Sequence, residues 1–208
     1  MKLIDITRPL SAASAHWPGD TPFQLQWTWR LDAGEAVNLS SVTLSPHIAT
    51  HTDAPYHYRA DGPTMDQVDL LRYIGPARVV AVVGRERITP ADLAALDLAG
   101  VERLLIRTDS CPDSKRFYTD FTYLEPEAVH YLAQVGVKLL GTDAHSVDPS
   151  DSHELPSHHA CGESGILIME NLDLSAVEPG TYELIAFPLK LVGADGSPVR
   201  AVLRTLAE

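Results

Sequence analysis

Three histidines and one aspartate, His47, His51, Asp53 and His57, fall within eleven residues of the segment SPHIATHTDAPYHY. Imidazole and carboxylate are donors to a divalent metal ion, and imidazole also moves protons near neutral pH. The four positions differ by even numbers, so a straight strand would carry them on one face. A strand rises about 3.3 Å per residue, however, which would separate His47 from Asp53 by about 20 Å. Donors to one zinc ion bind at about 2 Å and so lie only ~3–4 Å apart. A straight strand therefore cannot chelate, and Pro55 breaks a continuous helix before His57. The segment is expected to curl as a loop after a strand, with Pro46 and Pro55 setting irregular backbone at its ends. Without a thiolate, the donor set suits a borderline ion such as zinc, or manganese as an alternative. A solvated polar loop is the competing reading.

A second group lies over a hundred residues later, in DSHELPSHHACGESGILIMEN at 151–171. His153, His158 and His159 precede an apolar run, ILIM, that ends at Glu170. A carboxylate closing such a run is costly unless it is paired, exposed or metal-bound. A strand emerging into solvent would also account for it. In GTDAHSVD, residues 141–148, Asp143, Ser146 and Asp148 either orient ligand histidines or cap the next turn.

The elements that must position these groups are mostly strands. Runs at 3–7, 23–29, 37–45, 78–83, 103–108, 137–143, 165–170, 182–191 and 198–206 read as strands. FQLQWTW at 23–29 alternates with period two, as a half-buried strand should. Residues 89–96 read as a helix with Thr89 as N-cap and Pro90 at the first position. Residues 125–136 form a second, with Pro126 in the first turn, one apolar face and Gly136 at its end. Strands and helices alternate only in the middle of the chain. The expected fold is mixed α/β, a largely β core with a barrel-like sheet and flanking helices.

A length of 208 residues suits a single domain spanning 1–208, and no repeat or linker divides it. The net charge of −12 argues against nucleic acid and against an anionic membrane as partners. No targeting segment and no apolar run of membrane-spanning length is evident, so a cytoplasmic location is expected. Cys111 and Cys161 make no CxxC pair and read as free thiols without a role in the chemistry.

Taken together, these segments resemble the cyclase-like metal-dependent hydrolases. HIATHTDAPYH is similar to their H-x-G-T-H-x-D-x-P-x-H motif. WPGDTPF at 17–23, GTDAHSVDPSDS at 141–152 and YELIAFPLKLVGADGSPVRAVLR at 182–204 look most like the bacterial arylformamidase (kynurenine formamidase) branch. The resemblance implies two zinc ions per subunit, with His47, His51 and Asp53 on one and Asp53 bridging to another held by His158 and Glu170. His158 is preferred to His159 on its spacing to Glu170. His57 would be the catalytic acid/base and Trp17 a substrate contact, although without the resemblance Trp17 reads as turn packing. The implied substrate is a small molecule, N-formyl-L-kynurenine, cleaved to L-kynurenine and formate in tryptophan catabolism; a homodimer is implied as well. A cyclic-amide hydrolase of the isatin type, with manganese, is the alternative within the family. A binding protein with a purely structural metal is the alternative outside it; the absence of cysteine donors speaks against that. Two positions depart from the pattern. Ala49 replaces the motif glycine, which would add about 1–2 kcal/mol of strain if that residue needs φ > 0. His145 stands where a proline is expected.

Overall fold

A computed structural model describes residues 1–206. Its strands are β1 (Leu3–Asp5), β2 (Gln24–Trp29), β3 (Leu39–Thr43), β4 (His51–Asp53), β5 (Ile74–Ala81), β6 (Arg87–Ile88) and β7 (Arg103–Arg107). They continue with β8 (Tyr123–Leu124), β9 (Leu139–Thr142), β10 (Leu167–Glu170), β11 (Gly180–Ile185), β12 (Gly196–Pro198) and β13 (Val202–Thr205). The α-helices are α1 (Pro90–Ala94), α2 (Pro126–Gln134) and α3 (Pro156–Ser164). Nine strands form one curled half-barrel sheet in the order β1-β13-β11-β5-β7-β9-β10-β4-β12. Its centre, β5-β7-β9-β10, is parallel, with α1, α2 and α3 in the successive connections. Its flanks are antiparallel. This is the mixed, largely β architecture expected. Among the described residues no helix is long and apolar enough to cross a membrane.

The apolar runs become central strands because both faces of the sheet are covered. Val80, Leu104, Ile106, Leu140 and Ile168 pack with the buried faces of α2 and α3. Their immediate neighbours Val79, Leu105, Leu139 and Met169 point the other way, against Tyr73, Leu184 and Leu203. Strand alternation thus feeds two cores from one run. Each such side chain contributes about 1.5–3 kcal/mol on burial. The helices start where their caps dictate. Thr89 and Asp92 form a reciprocal capping box for α1. Pro126 opens α2, and Gly136, at φ 97°, takes the chain out of it.

Expectations need correction at three points. Two expected strands are cut short: the one at 182–191 stops at Ile185, and the one at 198–206 is split into β12, on β4, and β13, between β1 and β11. The histidine segment is not wholly loop. A turn over 46–50 leads into β4, a three-residue strand inside the sheet, and a 3₁₀ turn at Pro55–His57 follows. Two residues of strand are short enough to keep His51 and Asp53 together on one face. The third concerns β2, which is exposed on both faces rather than half-buried. With β3 it forms a separate two-stranded ribbon. Leu25, Trp27 and Val42 share one side of it, Trp29 pairs with Leu39 beyond a register shift, and all five are between 43% and 50% exposed.

Candidate active site

Sheet register brings the two distant histidine segments together. In the antiparallel β10–β4 pair, Glu170 lies opposite His51 and Ile168 opposite Asp53. Opposed residues share a face, so Glu170, His51 and Asp53 all project to the helical side of the sheet, at the carboxyl end of β10. Helix α3 supplies His158 from above. This helix escapes hydrophobic periodicity, since its buried residues are Ser157, His158, Ala160 and Cys161. The Asp148 carboxylate holds its first turn by accepting from the backbone N–H groups of Ser157 and His158, at 2.8 and 2.9 Å.

The donor atoms converge. His47 Nδ1 lies 3.0 Å from Asp53 Oδ1, and His51 Nε2 lies 3.4 Å from both Asp53 Oδ1 and Glu170 Oε2. His158 Nε2 is 3.4 Å from the other oxygen, Asp53 Oδ2, and 3.7 Å from Glu170 Oε1. Asp53 therefore stands between two groups, His47–His51–Asp53 and Asp53–His158–Glu170, in each of which donors lie within 4.8 Å of one another. The ring tautomers are set from outside. His51 Nδ1 donates to the Ala49 carbonyl at 2.8 Å, and His158 Nδ1 to Asp148 Oδ2 at 2.7 Å. Each Nε2 is thereby left as a lone pair facing the carboxylates, the arrangement that suits a metal ligand.

Two atoms of this cluster, His51 Nε2 and Asp53 Oδ2, are buried without a hydrogen-bond partner. Such an orphan costs about 1–3 kcal/mol. A cation in each group would satisfy them, so the residues fit a metal. Without one, the cluster attracts protons. Burial opposes charge on His51, but Asp53 and Glu170 outweigh it and lift its pKa to about 10. For His158 burial is likewise outweighed, by Asp148 and Asp53, and the result is also about 10. His47 rises to about 9 against burial, through Asp195 and Asp53. Burial raises the Asp53 carboxyl, yet His158, His47 and His51 hold it well below the usual range.

Strained backbone surrounds these donors. Ala49, at φ 53°, Leu155, at φ 46°, and Asn171, at φ 57°, are non-glycine residues in the left-handed region. They stand two residues before His51, three before His158 and one after Glu170. The motif glycine that Ala49 replaces thus occupies a position needing φ > 0, at about 1–2 kcal/mol for alanine.

His57 sits outside the carboxylate cluster. Its ring lies on that of His47, with centroids 4.0 Å apart, and its side chain is 30% exposed. Burial lowers its pKa, favouring the neutral imidazole. A cavity of about 660 Å³ opens over His47, His51, His57, His158 and Glu170. Trp17 borders it, edge-on to Phe117 at 5.0 Å, and Phe117 in turn stacks on His145 at 4.9 Å. The size and aromatic wall suit a small aryl ligand.

His153 borders the cavity but does not join the carboxylates, and His159 faces outward on α3. Of the acidic and hydroxyl residues in GTDAHSVD, only Asp148 hydrogen-bonds a histidine of this cluster. Asp143 accepts from Thr108 and Asp109, and Ser146 from Asp148 N, so both hold turns. Cys111 and Cys161 are free and buried. Sequence reasoning missed Phe117, Asp195 and Gly196. Asp195 accepts from His47 Nε2 at 3.1 Å. Nothing in their local sequence marks the first two, since folding alone brings them to the site.

The Cyclase family model matches residues 4–149. This chain belongs to the Cyclase family. It is 48% identical to the kynurenine formamidase of Salinibacter ruber over 207 residues, 98% of each chain. A solved structure described as a potential metal-dependent hydrolase with cyclase activity superposes with a TM-score of 0.84 at 29% identity, covering 97% of this chain and 96% of the other. Isatin hydrolase A from Ralstonia solanacearum shares the fold with a TM-score of 0.84, at 22% identity over 97% of this chain and 91% of its own.

Proposed function

We propose that this Cyclase-family protein hydrolyses N-formyl-L-kynurenine to L-kynurenine and formate, a step in tryptophan catabolism. The observation that carries the reading is the cluster of five donors, four of them buried, with two orphaned atoms, opening on a cavity with an aromatic wall. The likeness to kynurenine formamidase, at 48% identity, supports a linear formyl amide as substrate. The isatin hydrolase likeness, at 22%, extends to the fold alone, so the cyclic-amide reading is not favoured.

In this reading His47, His51 and Asp53 hold one zinc ion, and Asp53, His158 and Glu170 hold a second. Manganese fits the same donors. The bound ions supply Lewis acidity and a water whose pKa falls toward neutrality. Trp17 and Phe117 hold the aryl ring against the cavity wall. His57 takes the proton released as water adds to the formyl carbon, and returns it to the aryl nitrogen as the C–N bond breaks. Burial keeps this imidazole neutral and ready to accept that proton near pH 7.

The chain works as one hydrolase unit and pairs with a second copy through the exposed β2–β3 ribbon. Two tryptophans and three aliphatic residues of the ribbon stand 43–50% exposed in each chain, an apolar surface that a partner would cover. Two reduced, buried thiols agree with a cytoplasmic location. The test supplies N-formyl-L-kynurenine to metal-replete and chelator-treated protein and follows kynurenine release. Release only from the metal-replete sample is expected; equal release from both, or none from either, would overturn the proposal.

A further inference from the structure

Asp195 is the acidic group nearest His57, and no role above accounts for it. Its Oδ2 lies 3.6 Å from His57 Nδ1 and 3.1 Å from His47 Nε2. The loop that carries it is held on both sides. The Asp195 carbonyl accepts from Ala54 N at 2.8 Å, between Asp53 and the 3₁₀ turn that bears His57. The Ala194 carbonyl accepts from Met65 N at 2.9 Å, and Gly193 N donates to Asp66 Oδ1 at 3.0 Å. The next residue, Gly196, enters β12 opposite Asp53 and leaves room for the His47 ring. The carboxylate is thus anchored to the backbone that carries Asp53 and His57.

We propose that Asp195 is the positioning residue of the acid/base, holding the Nδ1–H of His57 so that Nε2 is the nitrogen presented to the substrate. This rests on the formamidase reading above. The 3.6 Å separation exceeds a formed hydrogen bond, and contacts of this kind commonly tighten when substrate fills a site. Asp195 acts through His57 and does not itself touch the reacting atoms. The proton travels from the adding water to Nε2 and from Nε2 to the departing aryl nitrogen, so atoms and charge balance without any change at Asp195. The competing role is support of His47 alone, as partner to a metal ligand.

A double-mutant cycle separates the two. Asp195→Asn, His57→Ala and the double variant are compared with the wild type for kcat, KM and bound metal per chain. In the wild-type background Asp195→Asn should keep its metal and its KM while kcat falls on the order of 100-fold. In the His57→Ala background the same change should alter kcat less than about twofold, because the group it positions is gone. Across ring-substituted N-formylanilines, the Asp195→Asn deficit should grow as the leaving amine becomes more basic. An equal loss in both backgrounds would overturn the proposal. So would metal loss repaired by excess zinc, which assigns Asp195 to His47, or a third metal ion lost in Asp195→Asn. Wild-type protein inactive on N-formyl-L-kynurenine would instead sink the underlying reading, and this inference with it.

Discussion

Gly196→Ala places a single methyl group against one proposed metal ligand. A Cβ at Gly196 would lie 2.7 Å from Cε1 of His47, 3.0 Å from Nε2 and 3.3 Å from Nδ1. Comfortable carbon contacts begin at about 3.5 Å, so the ring must retreat by about 0.7–0.8 Å. The opposing backbone cannot easily yield, because Gly196 is paired with Asp53 in the β12–β4 ladder. Metal–nitrogen distances tolerate only about ±0.2 Å. His47 therefore cannot remain a ligand in its present geometry. Disturbing a group behind a ligand already costs 10–100-fold in metal affinity, so displacing the ligand itself should cost at least about 100-fold, or about 2.7 kcal/mol. The assay is competitive titration of zinc against a chromogenic chelator. Thermal melts of the metal-free proteins separate loss of metal from loss of fold, since overpacking costs about 1–3 kcal/mol by itself. In a His47→Ala background the ring is gone, and Gly196→Ala should change metal affinity little. Wild-type zinc affinity in Gly196→Ala, or an equal drop with and without His47, would refute the steric argument.

His57→Ala should retain both metal ions by elemental analysis while kcat falls about 10²–10⁴-fold; loss of an ion would make His57 a ligand. Asp148→Asn removes the carboxylate that accepts the hydrogen bond of His158 Nδ1–H, and chelator competition should show zinc affinity reduced about 10–100-fold. The metal-free protein should lose thermal stability as pH rises. His51 and His158, near 10, and His47, near 9, lie above the unfolded value of about 6.5. Their contribution is full below pH ~6.5 and disappears as pH climbs through ~9–10, so melts in chelator from pH 7 to 10 should fall steadily. A flat profile would mean these imidazoles are neutral in the metal-free state. Trp27→Asp in the exposed ribbon should convert a dimer to a monomer in sedimentation velocity; an unchanged dimer would assign the contact to another surface.

The central sheet was legible because both its faces are buried, which leaves continuous apolar runs such as RLLIR and LIME in the chain. The site was half legible. Histidine and aspartate at short spacing stand out against any background, and Glu170 stands out at the end of an apolar strand. Ala49 was legible as a conditional, and its φ of 53° met the condition. Helix α3 was not, since it buries a serine, a histidine and a cysteine and so carries no hydrophobic stripe. β4 was hidden because polar residues chosen for the site occupy a strand. In the ribbon, alternation marks a strand but not its burial, since a period of two does not say what covers the apolar positions. Asp195 and Phe117 carry no local signal. His47 and Asp195 are 148 positions apart and meet only because β12 pairs with β4.

The central claim is a hydrolase built on two metal ions that share Asp53. The most direct measurement titrates zinc into metal-free protein and follows bound metal and turnover of N-formyl-L-kynurenine in the same samples. Turnover should be absent without metal and reach its plateau at two ions per chain. A plateau at one ion, or turnover that persists in the metal-free protein, would contradict the account.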